Sequence, residues 1–434
     1  MRSVEYQQAL DYIASFGRFG SRPGLERMRV LLKQLGSPER ELKFVHVGGT
    51  NGKGSTTAFI HGILQAAGYR VGLFTSPYLE SFTNRISING ADISEDSLAA
   101  LTTRLQPLLQ QVHESELGPI TQFEVTTILA LLYYQQSAVD VVAWEVGLGG
   151  RLDATNVVTP LVSVITNIGR EHTELLGESL AAIAGEKAGI IKSTVPLVTA
   201  VVEEEPFQVI ARRAEECQSP LWRLGDDFYY IRREHSLTSQ SFDYQDRRGF
   251  SGRFEIALLG EHQCRNAALA VAAVRQLEQD GWSIRPDAYR QGLKDTRWPG
   301  RLEIMSQNPL VLVDGAHNPH GTRVLRQALQ DYFPAREITM VLGILKDKDR
   351  QEMFSHLLPL ASRVVFAAPQ YGRATDPAVL LADALEYPVS ACCGGSVPEA
   401  IDMALRELQH EQVLLIAGSL YTVSEARQHL QQVL

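Results

Sequence analysis

Apolar runs of four to six residues alternate with segments that carry their apolar residues at helical spacing. Lys-Phe-Val-His-Val at 43–47 precedes such a segment at 52–68, and Tyr-Arg-Val-Gly-Leu-Phe-Thr at 69–75 follows it. The runs at 139–146 (VDVVAWEV) and 161–168 (LVSVITNI) repeat the rhythm. Strand-length apolar runs separated by helical patterns predict an α/β fold with a mostly parallel sheet. Between about Leu221 and Ile256 the pattern turns short, polar and aromatic-rich (DDFYYIRRE, QSFDYQD), which suits a hairpin or small antiparallel sheet at the edge. From about Gly300 a second series begins with VLVDGA, ITMVLGIL, RVVFAAP and VLLIAGS, and predicts a Rossmann-like α/β unit. Pro299 and Gly300 in DTRWPGR stop the preceding helical pattern, so the expected domains are residues 1–297 and 298–434.

A chain of 434 residues is past the size at which one core usually stops growing, in keeping with two domains. Hydrophobic residues at 44% and charged ones at 21% are ordinary soluble-protein usage and exclude disorder or a fibre as the overall description. Lys plus Arg at 41 against Asp plus Glu at 50 gives a net charge of −9, which disfavours a nucleic-acid binder. The cysteines, Cys217, Cys264, Cys392 and Cys393, form no zinc set and fit a reducing compartment. Polar residues break the apolar ones in MRSVEYQQALDYI, and no stretch reaches the roughly 18 apolar residues of a spanning helix. The expectation is a cytoplasmic protein without membrane partners.

The segment His46-Val-Gly-Gly-Thr-Asn-Gly-Lys-Gly-Ser55 leaves a strand and opens a helix, the setting of a phosphate-cradling loop. Gly48, Gly49, Gly52 and Gly54 let main-chain amides approach phosphate oxygens, and Lys53 would bring positive charge. The spacing departs from the ordinary P-loop rule: Val47 stands where its first glycine would fall, and Gly54 moves the hydroxyl to Ser55. Glu145 ends the strand VDVVAW, where an acid beside a phosphate loop can hold Mg²⁺; a solvated strand-end acid is the plain alternative. His172 in IGREHTELLG could complete a divalent site, although a lone histidine is more often structural. Ser76 in LFTSPYLE is, taken alone, a turn hydroxyl before Pro77.

Taken together, GTNGKGS at 49–55, TSPYL at 75–79, EVGLGGRLDATN at 145–156, EKAGIIK at 186–192, PGRLE at 299–303 and DGAHNP at 314–319 carry a family resemblance. With GILKDKD at 343–349 and GSLYTV at 418–423 it spans nearly the whole chain, which resembles the folylpolyglutamate synthase/dihydrofolate synthase family of the Mur ligase superfamily. The resemblance implies a P-loop ATPase domain of the Mur central type followed by a C-terminal glutamate ligase domain. It implies an ATP-dependent amide ligase that adds L-glutamate to a reduced folate, and to dihydropteroate, through an acyl phosphate. Gly49, Thr50, Asn51, Gly52, Lys53, Gly54, Ser55, Asn266, Arg301, Asp314 and His317 would contact ATP, which the two domains would share; Asn318 lies in the same loop as His317. Ser76, Glu145 and His172 fall on the family's magnesium positions, and Lys187 falls where the family carries a carbamylated lysine. Lys53, Glu145, His172 and Lys187 are the implied catalytic residues.

Ser76, Pro77, Tyr78, Phe123, Arg151 and Asp153 would meet the folate, with Phe123 equally readable as a core residue at the start of its helix. Two departures stand out: Tyr78 where many relatives have histidine, and Glu171 in place of the usual aspartate before His172. A cell-wall type Mur ligase is the nearest alternative. It would be expected to carry an N-terminal nucleotide-sugar domain, whereas here the phosphate loop begins by residue 49. A regulatory P-loop NTPase is the more distant one, without an N-K-x-D motif to support it. A monomer is expected.

Overall fold

The computed structural model describes residues 4–17 and 24–434. The chain divides into two compact units, one of Met1–Ile231, Asp243–Glu255 and Arg265–Thr296, the other of Arg232–Phe242, Ile256–Cys264 and Arg297–Leu434. Of the polar-broken N-terminal stretch, residues 1–3 lie outside the described residues, and Val4–Ser15 is a helix that buries Tyr6, Ala9 and Ile13. No helix among the described residues is long and apolar enough to cross a membrane.

The first unit is built on eight strands: β1 (Phe44–Gly48), β2 (Val71–Phe74), β3 (Ile86–Ile88), β4 (Ala91–Asp92), β5 (Val141–Glu145), β6 (Val162–Ile165), β7 (Leu197–Thr199) and β8 (Leu221–Arg223). Their order is β4-β3-β2-β5-β1-β6-β7-β8. From β2 to β8 every pairing is parallel, and β3 and β4 add an antiparallel edge. Every residue of β1, β2, β5 and β6 is buried, because helices cover both faces of a parallel sheet. One face packs Phe44, Phe74 and Trp144 against the N-terminal helices and Gln122–Gln136. The other packs Val146 and Ile165 against Leu180–Ala188 and Glu204–Glu216.

The aromatic-rich segment forms a separate sheet of β9 (Phe228–His235), β10 (Gln240–Asp246) and β11 (Ser251–Ile256) in the order β11-β10-β9. Four residues separate each pair of consecutive strands, too few for a parallel crossover, so the sheet is antiparallel. The segment 221–223 departs from the sequence expectation: it is not part of this element but runs parallel to β7 as the last strand of the main sheet, with Trp222 buried opposite Val198. The second unit holds β12 (Glu303–Gln307), β13 (Leu310–Val313), β14 (Ile338–Leu342), β15 (Ala361–Ala368), β16 (Ser390–Ser396) and β17 (Val413–Ala417). Their order is β12-β13-β17-β14-β15-β16, parallel except for β12 against β13. The chain is thus the α/β protein its pattern implied: a mostly parallel sheet, a small antiparallel element and a Rossmann-like sheet.

Candidate active site

Strand order assembles the first unit's site. The neighbours β2, β5, β1 and β6 all run parallel, so their carboxyl ends lie side by side and deliver Ser76, Glu145, the glycine loop and the Thr166–Asn167 turn in that sequence. Open α/β sheets bind ligands outside these ends.

The glycine loop runs from Gly48 into the helix Lys53–Ala66, entered through Gly52 at φ +80°. No side chain caps this helix, so its first-turn amides are the donors an anion would meet. The amides of Thr50 and Asn51 are otherwise engaged, donating to Asn167 O at 3.0 Å and Asn167 Oδ1 at 2.9 Å. Thr166 Oγ1 donates to Asn51 O at 2.6 Å, and Thr50 Oγ1 bonds Gly169 through both its carbonyl and its amide. The turn after β6 therefore clamps the loop. Sequence reasoning passed over Thr166 and Asn167, although the Thr-Asn-Ile-Gly that ends a buried run was a legible signal.

Gly49 sits at φ +136°, and a Cβ there would lie 1.9 Å from Thr166 Oγ1 and 3.0 Å from Thr166 N. Gly49→Ala is therefore expected to destabilise the first unit by about 1–3 kcal/mol and to weaken ADP binding at least about tenfold. Thermal melts and calorimetric titration would measure both, and wild-type binding would show that the loop's shape is immaterial. Asn266, buried in the helix Glu261–Leu277, lies against Gly52, whose added Cβ would come within 2.5 Å of Asn266 Oδ1.

Two lysines converge on one carbonyl. Lys53 Nζ donates to Gly49 O and Thr50 O, each at 3.0 Å, and Lys187 Nζ donates to Gly49 O at 2.9 Å and to Glu171 Oε1 at 2.8 Å. Lys187 is buried rather than spread on a helix surface. Burial holds its ammonium below the ordinary lysine value against the pull of Glu171, and Lys53 pushes the same way as burial. Burial would raise Glu171, but Lys187 and Lys53 bring it down to about 2. His172, the next residue, is exposed at φ 46° and precedes the short helix Thr173–Leu176.

Glu145 is buried at the tip of β5, and its Oε2 accepts Ser76 N at 2.9 Å. Among the described residues no group of three or more His, Cys, Asp or Glu could hold a metal. Mg²⁺ does not require one: it takes one or two hard oxygen donors and fills the rest of its shell with water and phosphate. The Glu145 carboxylate and the Ser76 hydroxyl are hard oxygens, so the donor set fits Mg²⁺. Tyr78 is 40% exposed, with the Arg85 guanidinium 5.0 Å from its ring centroid.

The loop after Glu145 is tied down at many points. Phe123, half-buried, packs over Gly147, where a Cβ would lie 2.4 Å from its ring, and it also joins the core beside Phe74. It is thus both wall and core. Arg151 pairs with Glu186 at 2.8 Å, although more than half of its side chain remains exposed. Asp153 is buried, and its carboxylate accepts from the amides of Gly147, Leu148 and Thr155 and from Thr155 Oγ1. Its acceptor capacity is taken up inside its own loop.

In the second unit two loops interlock. Asp314, just past β13, accepts Leu302 N and Ala316 N at 2.8 Å each, and burial raises its carboxyl despite the Arg301 guanidinium nearby. Gly315 N donates to Gly300 O at 2.8 Å, and Arg301 Nη1 presses against Gly315. His317 Nδ1 lies 2.8 Å from Gly315 O, so that nitrogen carries the proton. Asn318 caps the helix Pro319–Tyr332. Arg427, from the C-terminal helix, pairs with Glu303 of the PGRLE motif, which accepts Gly300 N at 2.7 Å; Arg427 did not stand out in the sequence.

Residues 47–274 match the Mur ligase middle domain, and residues 300–420 match the Mur ligase glutamate ligase domain. The dihydrofolate synthase/folylpolyglutamate synthase of Bacillus subtilis is 40% identical over 431 residues, which cover 98% of this chain and 99% of the relative. The structure of Mycobacterium tuberculosis folylpolyglutamate synthase complexed with ADP superposes with a TM-score of 0.91 at 33% identity, covering 98% of each chain. The Escherichia coli protein in complex with DHPP and ADP gives 0.88 at 30% identity, covering 99% of this chain and 98% of that one. The chain belongs to the dihydrofolate synthase/folylpolyglutamate synthase family of Mur ligases.

Proposed function

We propose that this protein is an ATP-dependent ligase that joins L-glutamate to a reduced folate through an acyl phosphate, and that dihydropteroate is a second acceptor. One observation carries the reading: an uncapped helix N-terminus, the Lys53 ammonium and the Glu145 carboxylate stand at adjacent strand ends, in a chain whose relatives are named for this activity. The second acceptor is favoured by the double name of the Bacillus subtilis relative and by the DHPP of the Escherichia coli complex.

The chemistry suits these groups. A carboxylate is a poor electrophile because oxide would have to leave; transfer of the γ-phosphoryl group makes phosphate the leaving group instead. The helix amides and Lys53 would hold the transferring group and the charge that develops on its oxygens. The glutamate amine then attacks the acyl carbon, phosphate departs, and the amine loses its extra proton to give the amide. Glu145, Ser76 and His172 are the proposed holders of Mg²⁺, which would neutralise phosphate charge when bound. Phe123, Tyr78 and the Arg151 loop would receive the planar heterocycle. In the second unit, Arg301, Asp314 and His317 are the proposed nucleotide contacts. The four cysteines are unpaired, which supports a place in the cytoplasm, and we propose a monomer.

Lys187 is the proposed site of carbamylation. Its depressed pKa favours the neutral amine that reacts with CO₂, and the product would replace a cation by an anion. Lys187→Ala is expected to lower turnover about 10- to 100-fold, with no recovery on adding bicarbonate. Intact-mass analysis of the wild type under CO₂ would show the added carbamate, and an active alanine variant would remove Lys187 from the mechanism.

The function itself is tested with purified protein, ATP, Mg²⁺ and labelled glutamate, offered tetrahydrofolate or dihydropteroate in separate reactions with products resolved by mass. Glutamylated folate is expected. Phosphate release at full rate without glutamate would point to a regulatory NTPase instead.

A further inference from the structure

His46 belongs to β1, the strand that feeds the glycine loop, and is fully buried. Its Nε2 lies 3.0 Å from Thr155 Oγ1. The direction of that bond follows from counting protons. Asp153 accepts amide protons from Leu148 at 2.7 Å, Thr155 at 3.0 Å and Gly147 at 3.3 Å, so it acts as an ionised carboxylate with nothing to donate. Thr155 Oγ1 also contacts Asp153 Oδ1, and its single proton must go there. The hydroxyl can then only accept from His46, which places the imidazole proton on Nε2. The other ring nitrogen, Nδ1, is buried and has no hydrogen-bond partner, as befits a bare lone pair rather than an N–H. Burial drives the His46 pKa down to about 3, so the ring stays neutral and keeps this tautomer across the working pH range.

The chain His46 to Thr155 to Asp153 ends on the amides of Gly147 and Leu148, the first residues of the loop after Glu145. Trp144 Nε1 fixes Thr155 from another side by donating to its carbonyl at 3.0 Å. Asn156 Nδ2 ties the far end of the loop to Arg151 O and Gly189 O. The imidazole link starts on the strand of the phosphate loop and adds a side-chain tie to the main-chain bond from Val146 N to Val47 O at 2.9 Å.

We infer that His46 is a positioning residue: through Thr155 and Asp153 it locks the Gly147–Asn156 loop to the strand that carries the phosphate loop, and so sets the geometry of the acceptor-substrate side of the site. Within that chain Asp153 acts on its own loop's backbone and holds the shape against which the folate lies. The inference rests on the ligase activity proposed above and deepens it.

The test separates the two ring nitrogens. A glutamine amide reaches about as far as Nε2, whereas an asparagine amide reaches only the position of Nδ1. His46→Gln should therefore recover most of the wild-type behaviour, while His46→Asn and Thr155→Val should raise KM for the folate-type acceptor about 10- to 100-fold, the range seen when an outer support of a site is removed. KM for ATP should move less than about threefold in the same variants, since the glycine loop keeps its clamp on Thr166 and Asn167. Independently of activity, amide hydrogen exchange at Gly147 and Leu148 in the ligand-free protein should quicken in His46→Asn and Thr155→Val and stay near wild type in His46→Gln. Thr155→Val, close to threonine in shape, answers the question if His46→Asn does not fold. Equal behaviour of the glutamine and asparagine variants, or unchanged exchange in Thr155→Val, would overturn the inference. A wild-type protein that glutamylates nothing would instead overturn the proposed activity, and the exchange data would still decide the relay.

Discussion

Lys53→Ala will lower turnover about a thousandfold while the protein keeps its fold, because the lost ammonium stands in the first turn of the helix proposed to hold the transferring phosphoryl group. Its present bonds show why the fold survives. Gly49 O keeps Lys187 as a donor when Lys53 is gone, and only Thr50 O loses its side-chain partner, a change of about 1 kcal/mol at a partly exposed site. Glu145→Gln is the matching variant on the neighbouring strand. It can still accept Ser76 N and fills the same space, but it removes the negative charge, so a comparable loss of turnover with an unchanged melting temperature is expected. Near-normal rates in either variant, measured by product mass under saturating ATP and Mg²⁺, would contradict the mechanism.

Acid will weaken the first unit from about pH 6.5 downward, before ordinary carboxylates begin to titrate. His46 and His61 are buried, and burial lowers their pKa values from 6.5 to about 3 and about 4. Below pH 6.5 the unfolded chain binds a proton at each ring and the folded chain does not, so stability falls as pH drops and continues to fall until the folded rings titrate. By pH 4 each ring withdraws roughly 3 kcal/mol, and the pair together approaches the total stability of a typical domain. Asp153, whose carboxyl burial raises, takes up its proton earlier in the folded state and offsets part of this at the acid end. Urea melts at pH 7.5, 6 and 5 should show a steadily falling midpoint, and His61→Gln should remove about half of the slope. A midpoint that stays level from pH 7.5 to 5 would show that neither ring is held neutral by the fold.

The strands that were legible beforehand share a physical property: β1, β5, β6, β13, β14 and β17 lie in the middle of their sheets and are buried on both faces, so selection for apolar side chains writes them as continuous runs. The strands that were not legible sit at edges or are very short. β12 and β16 are half-exposed at the two edges of the second sheet, and β16 reads Ser-Ala-Cys-Cys-Gly-Gly-Ser, a composition that suggests a turn. β8 was misassigned because three residues beside an aromatic-rich stretch carry no period long enough to tell a parallel edge from a hairpin.

The same division holds at the site. Local chemistry written in consecutive residues, the glycines and Lys53 before a helix and Glu145 at a strand end, was determined by the sequence alone, because a loop that must bend through positive φ and expose its amides has few residue choices. Which groups complete that chemistry was decided by tertiary structure. The order β2-β5-β1-β6 sets Ser76 beside Glu145 and Asn167 beside Thr50, and it brings Lys187 from 138 positions away onto Gly49 O. Hydrogen bonds act over about 3 Å whatever the separation along the chain, so partners such as His46 and Thr155 leave no spacing to read until the sheet has aligned them.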